Sequence, residues 1–323
     1  MRITLFLLLL LLASAPESHA LSQQDRVIVM HDLQHGRADE ALQLLSPATR
    51  PGSADAEAQE LLCRVSLQLE HWDEAVSACQ SAVTLAPNGS DNHLWYGRAL
   101  GEKADRVSFI TAFGLGKRVR QEFEAAVALD PHNAEALSDL GEFYTEAPAI
   151  VGGGRDKAAL VADRLDSVDR ARAEELRGRI AESLHDNGAA EQHYRAAIGA
   201  AQQPATYWMV LASFYRKQND FDRMQQAIRA GLAADRLRGT ALVDAAHLLT
   251  RAGRDPQSVV RLLREYLSSP AKSEEEPAFR VHLLLATLLE QQGDADGAAR
   301  EVAAASTIAS IYHPAKRSTN TGR

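Results

Sequence analysis

The feature that most narrows what this chain can fold into is a two-helix pattern that returns along its length. It is clearest from Thr206 to Tyr215, followed by a polar break at Gln218, Asn219 and Asp220 and then by Phe221, Met224, Ile228 and Leu232. Trp208, Leu211, Ala212 and Tyr215 recur at steps of three and four, so they share one helical face. A second amphipathic helix follows the break. Two helices joined by a few polar residues form an antiparallel hairpin, whose apolar faces need a neighbouring hairpin to cover them. A chain that repeats this unit is expected to be all-α and to grow as a stack. Its composition agrees, because 46% apolar residues with only 6% aromatics suit close helix packing rather than a thick core. At 323 residues a single globular core would be large, which again points to stacked units.

The recurring residues resemble the tetratricopeptide-repeat family, whose unit of about 34 residues carries a Trp, Leu, Gly, Tyr, Ala, Phe, Pro signature. Trp208, Leu211 and Tyr215 match it outright, and Gly178, Ala190, Tyr194 and Ala197 fill the matching slots of the preceding unit. Leu140, Gly141 and Tyr144 open a unit near Ala134, while Gly97, Phe123, Ala126 and Pro131 mark one that begins near Ser90. Leu62, Ala75, Ala82 and Pro87 belong to the unit before it, and Ile28, Ala41 and Leu45 to a degenerate first unit. Toward the C-terminus Ala246, Leu249 and Pro270 fit one unit, and Leu285, Ala286, Leu289, Ala298 and Ala305 another. The resemblance spans residues 22–312 and implies a right-handed α-solenoid of about eight antiparallel hairpins. Its terminal units are expected to face water, as the ends of a solenoid commonly do. Residues 313–323 are polar and aperiodic, and are expected to form a flexible tail.

Two stretches interrupt the repeat, near 103–116 and at 147–154, both at the turn inside a hairpin. Stacked hairpins place equivalent turns on one edge, so the two insertions are expected to be neighbours. Phe109, Ile110, Phe113 and Ile150 would then form a ledge with Gly152, Gly153 and Gly154, or would bury one another. The triple glycine lacks the spacing of a phosphate loop and reads as a turn with positive backbone angles. The insertion pair is also similar to a feature of some exported bacterial tetratricopeptide proteins, a likeness that names no activity.

Residues 1–20 carry Arg2, an apolar run from Ile3 to Leu12, and a small-residue end at Ser18-His19-Ala20. That pattern is a secretory signal peptide, and its run is too short to span a bilayer. The mature protein is expected outside the inner membrane, most simply in the periplasm, without stable membrane insertion. Such a compartment permits disulfides. Cys63 and Cys79 fall on the first and second helices of one hairpin, at facing heights with fifteen residues between them, so they can pair. They can equally stay as two buried small residues that never pair.

The formal net charge of -8 argues against nucleic acid as a partner. No nucleophile motif appears, and His31 and His35 lack the further ligands of a metal site, so neither an enzyme nor a metal or other cofactor is expected. Acidic pairs such as Glu174-Glu175 and the run Glu274-Glu275-Glu276 read as solvated helix faces and a linker. The family's architecture implies that the first helix of each hairpin lines the concave wall. Arg64, Arg98, Arg179 and His247 would face it, with Arg216, Lys217 and Arg251 one turn on. A basic wall would favour an anionic segment of another protein or peptide. The alternative is that these residues pair with Glu60, Glu175 and Glu182 on adjacent turns. The function expected is a binding scaffold outside the cytoplasm, against a rival in which the insertions form a small-molecule or lipid pocket. Oligomeric state is not legible in the sequence.

Overall fold

The computed structural model of the chain describes residues 20–312, so the expected signal peptide, apart from Ala20, and the expected tail at 313–323 lie outside the described residues. The described chain is an α-solenoid of sixteen helices without strands. They pair in order into eight hairpins: α1 Gln23–His35 with α2 Ala38–Leu45, α3 Ala56–Gln68 with α4 Trp72–Leu85, α5 Ser90–Ala104 with α6 Phe109–Leu129, α7 Ala134–Glu146 with α8 Arg155–Leu165. The second half continues with α9 Arg170–Ser183 and α10 Asn187–Ala200, α11 Ala205–Lys217 and α12 Phe221–Ala234, α13 Ala241–Arg251 and α14 Pro256–Ser268, α15 Ala278–Gln291 and α16 Ala295–Ile308.

The turn inside three of the hairpins follows one local rule. A residue with positive φ precedes an N-cap aspartate, as at His185-Asp186, Asn219-Asp220 and Gly293-Asp294, and each Asp side chain accepts from the backbone N–H three residues on. Small residues then let the helices close. A Cβ at Gly97 would stand 2.4 Å from the Phe123 ring, and one at Gly178 would stand 2.6 Å from the Tyr194 ring. The second helix of those hairpins therefore seats its aromatic against the backbone of the first. Tyr194 is buried this way, and with Phe214 and Tyr215 of α11 it runs the core from one unit into the next.

The terminal hairpins do not both end in water, which corrects the expectation drawn from open solenoids. Phe279 of α15 and Ala305 of α16 share one buried cluster with Leu33, Leu45 and Leu61 of the first two hairpins. The Ser310 N–H donates to the Asp39 carboxylate at 2.8 Å, and Gly36 lies against Pro277 and Ala278, where a Cβ would come within 2.5 Å of the Ala278 nitrogen. The stack has turned far enough for its last unit to meet its first, and the apolar ends cover each other.

The insertions also differ from the loops expected. The first is helical: α6 starts at Phe109 and runs 21 residues, about two turns longer at its N-terminus than the family unit needs. The second forms a short 3-10 turn, η1 Ala149–Val151. They lie side by side, with Gly116 close to Val151 and Gly152 close to the Arg120 side chain. Only Gly152 of the triple glycine takes a positive φ, 106°. Gly153 is required for space, since a Cβ there would sit 1.8 Å from the Ala147 carbonyl oxygen, and Gly154 has extended backbone.

Candidate functional site

The first helices of successive hairpins touch along the inner face, α1 to α3, α3 to α5, α5 to α7, α7 to α9 and α11 to α13, so they line one concave wall. Their register brings a ladder of charges together. The guanidinium groups of Arg64 and Arg98 stack over the Trp95 ring, 4.7 and 4.6 Å from its centroid. Arg98 reaches Asp139 at 2.6 Å and Glu135 at 3.0 Å on α7, and Arg179 on α9 reaches back to Glu142 at 3.0 Å and to Glu175 on its own helix at 3.0 Å. Arg64 meets Glu60 at 3.1 Å. Lys217 pairs with Glu182 at 2.6 Å. The carboxylates around Arg98 and Arg179 hold both guanidinium groups above their usual range despite the opposing effect of burial.

The basic wall expected from the sequence is therefore one half of an ion-pair network, and the reason is register: the residues that follow each small slot meet acidic residues of their own or a neighbouring first helix. Arg64, Arg98, Arg179 and Lys217 are brought together on the wall but are already met by carboxylates. His247 lies 3.9 Å from Glu276, and with Arg251 it lines a cavity of about 1100 Å³ on the concave side. Arg216 is not among that cavity's lining residues, and its Nε is buried with no hydrogen-bond partner.

The acidic run Glu274-Glu275-Glu276 is not a solvated linker. Residues 269–277, between α14 and α15, cross the concave side. The Glu274 carboxylate accepts from Arg64 through Nε at 3.3 Å and through Nη2, and its backbone carbonyl accepts from Gln68 Nε2 at 3.0 Å. Tyr266 O–H donates to the Glu276 carbonyl at 2.7 Å and accepts from the Ser273 N–H at 3.0 Å. The segment divides the concave space in two. One cavity, of about 790 Å³, lies among Arg64, Trp95, Arg98, Phe143, Glu274 and Arg280. The other, of about 1100 Å³, is lined by Tyr207, Val210, Ser213, Asp244, His247 and Glu276. Among the charged residues lining the larger one, Glu142, Glu146, Glu175, Glu182, Asp244, Glu275 and Glu276 outnumber Arg172, Arg179, Lys217 and Arg251. Burial, reinforced by Glu276 and Glu275, pushes the Asp244 carboxyl up to about 7. Burial likewise raises Glu275 and Glu276.

Cys63, next to Arg64, is joined to Cys79 by a disulfide between α3 and α4, with Cα atoms 5.2 Å apart and both residues fully buried. At the insertions Phe109 and Ile110 are each 85% exposed and Ile150 is 69% exposed, so they do not bury one another. Phe113 is half-buried under the Lys117 ammonium, 4.3 Å from its ring centroid. Val151 makes the contact between insertions instead. Side chains this free are not the walls of a pocket closed over a small molecule. His31 and His35 stack ring on ring at 4.1 Å, and among the described residues no group of three His, Cys, Asp or Glu side chains is placed to hold a metal. No described helix is long and apolar enough to cross a membrane.

Sequence reasoning missed Gln68, Trp95, Tyr207 and Asp244, which carry no motif. It also misjudged residues 274–276, although one signal was present: four-residue links join α4 to α5, α6 to α7, α8 to α9 and α10 to α11, whereas nine residues join α14 to α15. Between hairpins, only the link at 46–55 is comparably long.

Comparison with known proteins agrees with this geometry. Tetratricopeptide-repeat signatures match residues 28–90 and 205–236. Both segments carry tetratricopeptide repeats. Among solved structures the chain is similar to a tetratricopeptide-repeat protein of Thermus thermophilus, with a TM-score of 0.50 and 20% identity, covering 59% of this chain and 97% of that one. A tetratricopeptide-repeat protein from Parabacteroides merdae is similar at a TM-score of 0.48 and 13% identity, covering 83% of this chain and 98% of that one. No curated protein matches the chain. Proteins of this family and fold are in general interaction scaffolds rather than catalysts.

Proposed function

We propose that this protein is a scaffold outside the cytoplasm that holds an extended segment of another protein in its concave groove, with a carboxylate of that segment on Arg64. The observation that carries this reading is that the groove already handles an extended peptide in this manner: Glu274 sits on Arg64 while Gln68 and Tyr266 take the backbone around it. Two side chains that fix main-chain groups and one cation that fixes a carboxylate are the elements of peptide recognition. The leader-like residues 1–20 and the buried disulfide support the location.

The anionic partner expected from the sequence is narrowed by the charges of the wall. With Asp244, Glu146 and Glu182 lining the larger cavity, a uniformly acidic segment would be repelled there. The segment that fits has one carboxylate at Arg64 and neutral or basic residues beyond it.

Selection of a displayed random-peptide library on the full chain tests the proposal. Selected peptides are expected to lose roughly tenfold or more in affinity, about 1.4 kcal/mol, with Arg64→Gln and again with Tyr207→Ala. Peptides that bind both variants as tightly as the wild type would show that the groove is not the site. A secreted-reporter fusion to residues 1–25 that stays inactive would remove the location.

A further inference from the structure

Resting on that reading, we infer that residues 269–277 are a displaceable strap, the chain's own weak ligand, which a partner segment must replace in order to bind. The strap occupies the site by position. Its Glu274 takes the Arg64 guanidinium and its backbone takes Gln68, so no second segment can use either while it is seated.

Three features make the strap a poor occupant. First, Gln68 is buried, and although its Nε2 donates to the carbonyls of Leu33 and Glu274, its Oε1 has no hydrogen-bond partner. A buried acceptor left unanswered costs about 1–3 kcal/mol. An extended segment that presents an N–H there would recover that loss. Second, Glu275 and Glu276 point their acids into the cavity that also holds Asp244, Glu142 and Glu146. Mutual repulsion among these clustered carboxylates disfavours the seated strap and would be absent for a segment without acids at those two positions. Third, three of the strap's other tethers are short and its own, Glu275 N–H to Ser273 Oγ, Ala271 N–H to Ser269 Oγ and Lys272 to the Ser269 carbonyl, against two to the Tyr266 hydroxyl and one to the Leu237 carbonyl. Its own three would travel with it if it swung out. Its ends are fixed, at Ser269, whose hydroxyl donates to the Leu237 carbonyl, and at Pro277, which packs on Gly36, so swinging out breaks the two bonds of the Tyr266 hydroxyl to Ser273 and Glu276. Displacement therefore needs movement of a few residues only.

The consequence is a threshold. The apparent affinity of any partner is lowered by the fraction of molecules whose strap is seated, so loosening the strap raises affinity without touching the partner's contacts.

The test uses the full chain and a fluorescent peptide of the strap's own sequence, residues 269–277, in which the residues matching Glu275 and Glu276 are glutamine. Its binding is followed by anisotropy to the wild type, to Glu274→Gln, which weakens the strap's anchor, and to Arg64→Gln, which removes the subsite. Glu274→Gln is expected to bind the peptide roughly tenfold more tightly than the wild type, and Arg64→Gln to bind it at least about tenfold more weakly than Glu274→Gln. Hydrogen exchange should quicken at Ser273 and Glu275 of the wild type when peptide is added. Equal affinity of wild type and Glu274→Gln, with loss in Arg64→Gln, would overturn the strap while leaving the groove as the site. Binding without any change in exchange at Ser273 would also overturn it. No binding to any of the three would overturn both. Circular dichroism melts of each variant establish that the chain is folded when it is tested.

Discussion

The wall formed by α3 and α5 and the wall formed by α11 and α13 descend from the same repeat, yet they handle charge differently. On the first, Arg64 and Arg98 stack on Trp95 and are each met by carboxylates, Glu60 and Glu274 for one, Asp139 and Glu135 for the other. A disulfide anchors the helix that carries Arg64. On the second, Asp244 is crowded by Glu275 and Glu276, and no disulfide braces the hairpins. The difference teaches that a repeat fixes where side chains point, whereas the neighbours they meet depend on what the superhelix brings opposite. One wall is built to hold a strap, and the other is built to reject part of it.

The sharpest way to break the contrast is to remove the brace. Replacing Cys63 and Cys79 together with Ala is expected to cost on the order of 3 kcal/mol, the loop-closure value for a ring of this size, measured by chemical denaturation. Local hydrogen exchange should rise in α3 and α4 and stay nearly unchanged in α11 and α13. Uniform loss of protection would show that the two walls are not independently stabilised.

Next in size is Arg64→Gln, which leaves Glu60 and Glu274 facing each other without their shared cation. Both carboxylates are largely shielded, so a loss of about 2–3 kcal/mol is expected at neutral pH. Lowering the pH should shrink the loss as Glu60, whose carboxyl is already pushed up by burial, takes up a proton. A loss that ignores pH would mean that Arg64 acts through its packing on Trp95 alone.

On the other wall the sign reverses. The Asp244 carboxyl is held at about 7, above its ordinary value of 3.8, so its contribution to stability is complete below about pH 4 and is lost as pH rises through about 7. Stability should therefore fall between pH 5 and pH 8. Asp244→Asn should flatten that slope and stabilise the protein at pH 8 by roughly 2 kcal/mol, with little effect at pH 5. An unchanged slope in the variant would assign the titration to another group.

The smallest effect belongs to the insertion tip. Phe109→Ser and Ile110→Ser remove side chains that stand in solvent, so each should change stability by no more than about 0.5 kcal/mol. A larger loss in the melt would mean that the tip packs against something in solution.

The sequence by itself determined the repeating hairpin, the number of units, the small slots at Gly97, Gly141 and Gly178, and the pairing partners open to Cys63. These are local quantities, set by helical periodicity and by contacts within a unit or with the next, and one period is enough to read them. Only the tertiary structure decided that the stack returns upon itself and sets Glu274 on Arg64, residues 210 apart in the chain. That meeting results from small rotations added over eight hairpins, and no residue pattern within one hairpin records the sum. The apolar tip and the unpaired Gln68 Oε1 were hidden for the same reason: exposure and satisfaction depend on what lies opposite, and the chain supplies that only after it has turned.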